Sequence, residues 1–177
     1  MRVREAVGGG VAVDDVTAER SRDTFTIRPA VAQDAPALAE LRSALFAELG
    51  QHKSPQLQGQ FASLTAASFS AGLERGYCFA WLAEVERQRP IGSAAILLFP
   101  RLPTPASLAQ LEGYLLSVYT VPDWRRRGVA ASLVAAAVEK ARALGLGRVR
   151  LHTTLAGQPV YAAAGFHVRD NEMELRL

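Results

Sequence analysis

Val121-Pro122-Asp123-Trp124-Arg125-Arg126-Arg127-Gly128-Val129-Ala130-Ala131 decides how this chain folds. Ahead of it, Glu112 to Val121 reads as a long strand, apolar on both faces in its second half and hence central, and Pro122 stops it. Behind it, Gly128 to Leu144 reads as the strongest helix of the sequence. Val129, Leu133, Val134, Ala137, Val138 and Ala141 share one broad face there, and Gly145 and Gly147 terminate the helix. The turn therefore places Arg125-x-x-Gly128-x-Ala130 at a helix opening. A helix N-terminus has about four unpaired N–H groups and a partial positive charge. Small residues there let a ligand's oxygens approach the backbone, so a phosphate or pyrophosphate is the natural guest. Flanking guanidiniums would add charge-assisted contacts. No Gly-x-x-x-x-Gly-Lys-Ser/Thr occurs, and two of the three glycines of a dinucleotide fingerprint are missing. The plainer alternative is an arginine-rich turn before a core helix, with Gly128 only relieving crowding.

Outward from this segment, Thr24 to Pro29 alternates and suggests a short strand. Asp34 and Pro36 supply an N-cap and a first-turn proline. Leu38, Leu41, Leu45, Phe46 and Leu49 then recur at helical spacing before Gly50. Gln51 to Gln60 is polar and reads as a loop, Phe61 to Leu73 as a second helix ending near Gly76. Tyr77 to Val85 and Ile91 to Phe99 form an expected antiparallel hairpin, followed by the proline-rich loop Pro100 to Pro105. Arg148 to Thr153 alternates as a strand. Pro159 to Ala164 is a short helix ended by Gly165, and Phe166 to Leu177 is a final strand. The expected class is α/β (α+β): one domain with a mixed, mostly antiparallel sheet of about six to seven strands and helices on both faces. Residues 1–23, with Gly8-Gly9-Gly10 and no period, read as a flexible arm ahead of a domain over 24–177.

Composition narrows the function classes. The 177 residues are 49% hydrophobic and 21% charged, enough for one sizeable core. No run approaches the roughly 20 uninterrupted apolar residues of a membrane span. Met1 to Val7 has too short an apolar run for a secretory signal, so a cytoplasmic protein without membrane contact is the default. Cys78 is the sole cysteine, which excludes an intramolecular disulfide and a thiolate zinc cage. His52, His152 and His167 lie far apart, so no metal site is expected. A net charge of +3 is too small an excess to argue for nucleic acid. The run Arg125 to Arg127 also lacks the interleaved aromatics of a single-strand binder.

The sequence resembles the GNAT superfamily of acyl-CoA-dependent N-acetyltransferases. That family's first signature, Gln/Arg-x-x-Gly-x-Gly/Ala after a strand with a Val-x-Pro-like break, matches Val121 to Ala130. Its second, Tyr-x-x-x-Gly-Phe on a short helix after the next strand, matches Tyr161-Ala162-Ala163-Ala164-Gly165-Phe166. The opening Ile27-Arg28-Pro29-Ala30 followed by Asp34 is also common there. The resemblance covers Phe25 to Leu177 and implies acetyl-CoA as cofactor. Backbone groups of Tyr119, Thr120 and Val121 would pair with the pantetheine arm like an added strand. The N–H groups of Arg126, Arg127, Gly128, Val129, Ala130 and Ala131 would hold the pyrophosphate, with Arg125 in the motif's first position. Thr154 stands where many members place a cofactor-touching asparagine. Tyr161 would protonate the leaving thiolate, and a phenol of pKa about 10 suits that task.

The general base is less determined. The places where some members carry glutamate hold Leu115 and Val149, which cannot accept a proton. Nearby candidates are Glu112, Tyr114, Ser117 and His152, acting directly or through water. The implied reaction is direct attack of a primary amine, of a small molecule or peptide, on the thioester. Cys78 lies outside both motifs, so an acyl-cysteine is not expected. A second class of reading is a CoA-binding module that has lost catalysis and serves regulation or interaction. The acceptor would be shaped by Leu45 to Gln60, Phe99 to Gln110 and the chain end. Dimers are common among such proteins, which leaves a homodimer open.

Overall fold

The computed structural model describes residues 24–169 apart from 52 and 53, together with 173 and 175. The arm expected over residues 1–23 lies outside the described residues. Five strands form one sheet in the order β1 (Thr26–Pro29), β2 (Cys78–Val85), β3 (Arg89–Pro100), β4 (Leu111–Thr120) and β5 (Val149–Arg150). The first three junctions are antiparallel and the last, β4 to β5, is parallel. Helices α1 (Ala35–Glu48) and α2 (Pro55–Arg75) follow β1, α3 (Val129–Ala143) joins β4 to β5, and α4 (Gln158–Ala163) follows β5.

Alternation along β2 sorts its side chains between two apolar layers. Cys78, Ala80 and Leu82 pack with Leu38 and Leu41 of α1 and Phe69 of α2. Trp81 and Ala83 pack with Leu133, Val134 and Ala137 of α3. The sheet thus has α1 and α2 on one face and α3 on the other, so helices cover both faces as expected. Gly92 of β3 is where sheet and helix come closest. A Cβ there would stand 2.7 Å from the Tyr119 carbonyl oxygen and about as near the side chains of Val129 and Leu133, at 3.2 and 3.3 Å.

Three expectations are corrected. The described residues contain five strands against the six to seven expected, and most of Phe166 to Leu177, expected as a final strand, lies outside the described residues. Of Arg148 to Thr153, only Val149 and Arg150 pair, and Phe166 to Arg169 has no regular structure. Alternation in sequence reports which face a side chain takes, whereas a strand also needs a partner backbone. Helix α2 starts at Pro55, inside the stretch expected as loop, because Ser54 caps it: its Oγ accepts the Leu57 N–H at 3.3 Å and Pro55 takes the first helical position. Asp34 does not cap α1 with its side chain. Its carboxylate accepts the Val31 N–H at 2.8 Å and two bonds from Arg28, at 2.6 and 2.8 Å. Arg28 also reaches Glu84, at 2.7 and 2.9 Å, so one guanidinium clasps β1, the turn after it and β2. No helix among the described residues is long and apolar enough to cross a membrane.

Candidate active site

The turn between β4 and α3 is built from unusual backbone. Arg126 (φ +62°) and Gly128 (φ +84°) are both left-handed, and Gly128 is the N-cap of α3. Left-handed residues interrupting a turn gather successive N–H groups toward one concavity, the arrangement that receives anions. The Ser132 N–H bonds to the Gly128 carbonyl at 3.0 Å and begins the helical ladder. The N–H groups of Val129, Ala130 and Ala131 precede it at the helix N-terminus. Gly128 is exposed, and a Cβ on it would meet no atom within 4 Å.

The three arginines of the turn do not act together. Arg125 donates from Nε to the Thr120 carbonyl at 3.0 Å and from Nη2 to Glu48 at 2.5 Å. Glu48, on the last turn of α1, also accepts the Tyr119 hydroxyl at 2.6 Å. Arg127 lies over the Trp124 ring, 5.0 Å from its centroid. Arg125 is therefore a strut between turn, strand and helix, and its guanidinium is committed within the protein. Burial and the Glu48 carboxylate together push the Tyr119 phenol up to about 12, so it stays a hydrogen-bond donor.

Strands β4 and β5 pair only at Gly113↔Val149 and Tyr114↔Arg150. Beyond Tyr114 they part, while β4 runs on for six residues beside β3. A bulge marks the parting: Ser93 pairs with Tyr119 and Ala95 with Leu116, so β4 carries one extra residue there. Ser117 takes the left-handed conformation (φ +53°), and its carbonyl is held by the Ser93 hydroxyl at 3.0 Å.

A row of polar side chains follows the face of the sheet that carries α1. Glu112 is buried beneath Arg148 and Arg150, which donate to it at 2.5 and 2.7 Å and hold its carboxyl below the usual range. Next, the Tyr114 hydroxyl bonds to His152 Nδ1. Then comes Arg42 of α1, whose Nη1 donates to the Ser117 hydroxyl at 2.7 Å. The Glu48–Tyr119–Arg125 cluster ends the row.

Tyr161 sits on α4 against Phe166, ring centroids 6.0 Å apart. Burial raises its pKa. Its ring closely faces Gly157, where a Cβ would approach Cε2 to 3.2 Å. Tyr161 and His152 border the same cleft of about 980 Å³ beside β5, α3 and α4. Thr154 caps a turn instead of reaching toward the arginine segment: its Oγ1 accepts the Gly157 N–H at 3.2 Å. The structure thus joins Tyr119, Thr120 and Arg125 to Val129–Ala131 at one end of β4, and Tyr114 to His152 midway. Glu112 belongs to a separate ion cluster. Glu48 and Arg42 were missed from sequence. Each meets its partner across more than 70 residues, and no local pattern announces such a pairing.

A model of the acetyltransferase (GNAT) family matches residues 36–166. No curated protein matches the chain. Among solved structures, a predicted acetyltransferase from Clostridium acetobutylicum, determined with acetyl-CoA, is 25% identical. The match covers 86% of this chain and 96% of that one with a TM-score of 0.76. A GCN5-related N-acetyltransferase from Ralstonia eutropha is also 25% identical, over 87% of this chain and 99% of that one, with a TM-score of 0.75. Glucosamine-6-phosphate N-acetyltransferase from Arabidopsis thaliana, at 15% identity, shares the fold over 86% of this chain and 98% of that one, TM-score 0.64.

Proposed function

The chain belongs to the acetyltransferase (GNAT) family, and from that premise we propose that it transfers an acetyl group from acetyl-CoA to a primary amine of a small molecule or peptide by direct attack. One observation carries this reading: a left-handed turn opening α3 stands beside a strand that has lost its neighbour. These residues fit the cofactor. The open space at Gly128 and the N–H groups through Ala131 suit a pyrophosphate. The parted end of β4 at Tyr119 and Thr120, with Val121 just after it, suits the amide-bearing pantetheine arm, taken up as a strand would be. Thr154 accepts the Gly157 N–H in its own turn and keeps a hydroxyl proton to donate, so the resemblance remains what suggests its contact with the cofactor.

Bound acetyl-CoA would supply an activated acyl group and a good leaving thiol. The chain's own residues do the remainder. Backbone N–H groups of β4 polarise the acyl carbonyl from fixed positions, which costs no reorganisation. Tyr161 donates its proton to the departing sulfur. Its hydroxyl has no hydrogen-bond partner among the described residues and is free to turn to that task. His152, held by Tyr114, takes the proton released from the amine. Glu112 is a poor base, because two guanidiniums stabilise its ionised form.

The second reading, a CoA-binding module without turnover, draws on that same loss of Glu112 as a base. One experiment separates them. Full-length protein is given acetyl-CoA and a panel of amines, and released thiol is followed. Amine-dependent release supports transfer. A thermal shift with CoA but no release from any amine supports the binding module.

A further inference from the structure

Along the polar row of β4 and β5, arginines hold carboxylates. Arg125 holds Glu48, and Arg148 and Arg150 hold Glu112. Arg42 is the exception. Its guanidinium is half-buried between α1 and the bulge of β4, and it has no carboxylate among the described residues. Among the described residues it makes one hydrogen bond, to the Ser117 hydroxyl, and it rests over the Phe46 ring, 4.8 Å from the centroid.

A guanidinium keeps its proton under all ordinary conditions and offers five N–H donors. Taking that charge out of water is costly unless the donors are met. One serine hydroxyl meets one of them. Burial works against the charge here, and the neighbour that opposes that effect is the Tyr114 phenol. The fork left beside the occupied Nη1 matches the two oxygens of a carboxylate.

Position gives this charge its meaning. Ser117 is the residue at which β4 bulges, three residues beyond the last pairing with β5 and two before Tyr119. Two residues of strand span about 7 Å. Arg42 therefore stands within a small molecule's length of the backbone proposed to take the cofactor's arm, and close enough to Tyr114 for the two to interact electrostatically.

We propose that the acceptor amine carries a carboxylate, and that the Arg42 guanidinium receives it where β4 and β5 part. The inference rests on the acetyl-transfer reading above and names its substrate class. The carboxylate belongs to a free amino acid or to the C-terminus of a short peptide. Loss of this charge-assisted pair is expected to lower kcat/KM by about 10²-fold.

The test compares matched acceptors: free amino acids against their amides, and dipeptides against dipeptide amides, each with acetyl-CoA. The wild type should prefer acids over amides by about 10²-fold. Whichever pair shows the larger ratio identifies the source. In Arg42→Gln the ratio should collapse toward one, and Arg42→Lys should restore part of it. A CoA-induced thermal shift in each variant shows that it is folded. Equal rates for acids and amides, or a ratio unchanged in Arg42→Gln, overturns the proposal while leaving acetyl transfer standing. A second readout needs no turnover: N-acetylated amino acids and their amides are titrated onto the CoA-loaded protein. Binding that requires both the carboxylate and Arg42 upholds the carboxylate site even if no amine releases thiol, in which case acetyl transfer fails alone. Equal binding of acids and amides overturns the site.

Discussion

Tyr161 holds its proton more firmly than a free phenol because burial disfavours the phenolate. It is thus fully protonated at neutral pH and available as an acid. Replacing it by phenylalanine keeps the ring against Phe166 and removes only the hydroxyl. Turnover in a thiol-release assay should fall about 10²-fold, with CoA affinity by calorimetry little changed. Equal turnover would make Tyr161 a packing residue. Gly128 separates two effects in the same spirit. Space beside it is open, so Gly128→Ala meets no clash and should cost only the left-handed strain, about 1 kcal/mol in urea unfolding. Gly128→Glu adds a negative charge where the pyrophosphate is proposed. It should abolish the roughly 2.7 kcal/mol of stabilisation that a ligand gives at a hundred times its dissociation constant. Both residues stand out in sequence as members of local motifs a few residues long, and the role of each waits on these measurements. Arg42 does not stand out, because its contact with Ser117 joins residues 75 apart.

At the scale of elements, the strut from Arg125 to Glu48 fastens the end of α1 to the turn that opens α3. Both side chains are some two-fifths exposed, 44% and 40%, so solvent screens the pair. Glu48→Gln should change global stability by less than about 1 kcal/mol. Its clear reading is on Tyr119. Burial raises that phenol first and Glu48 second, so removing the carboxylate should lower its titration from about 12, visible in an ultraviolet difference titration. An unmoved midpoint would show that burial alone sets it. The resemblance places Arg125 in the first motif position, and in the structure its guanidinium bonds the Thr120 carbonyl and Glu48, so its charge helps shape the turn.

Over the whole molecule, stability should depend on acid in a defined direction. The Arg28 hydrogen bonds lower the pKa of Asp34. The Tyr119 and Arg125 bonds do so for Glu48, and Arg148 with Arg150 for Glu112. A carboxyl whose folded pKa lies below its unfolded value adds stability in full above about pH 4 to 5. That stability is lost as pH falls through the folded value. The melting temperature should therefore hold level toward neutrality and drop on acidification below that range. Asp34→Asn should give a lower but flatter acid limb, and an acid limb as steep as the parent's would remove the clasp from the account. Layering was legible at this scale. Residues rich in aromatic and branched side chains mark the hairpin of β2 and β3, and the helices interspersed with such hairpins imply a mixed sheet covered on both faces. The length of β5 was not legible, because Val149 and Arg150 look in sequence like part of a longer strand, and the bulge at Ser117 has no signature beyond one serine.

A sheet whose last two strands separate leaves part of β4 without a neighbour on that side, the kind of edge that proteins usually keep short and guard. Such an edge is a template for misassembly, ready to zip onto a stray strand of another chain. Here it is made safe by being short and bent. Only two rungs join β4 to β5 before the split, and the bulge twists the length of β4 beyond it. Side chains from α1 crowd the seam from one side. If an amide-bearing arm pairs there as proposed, the same shortness and bend would limit how far a longer polypeptide strand could pair beside it.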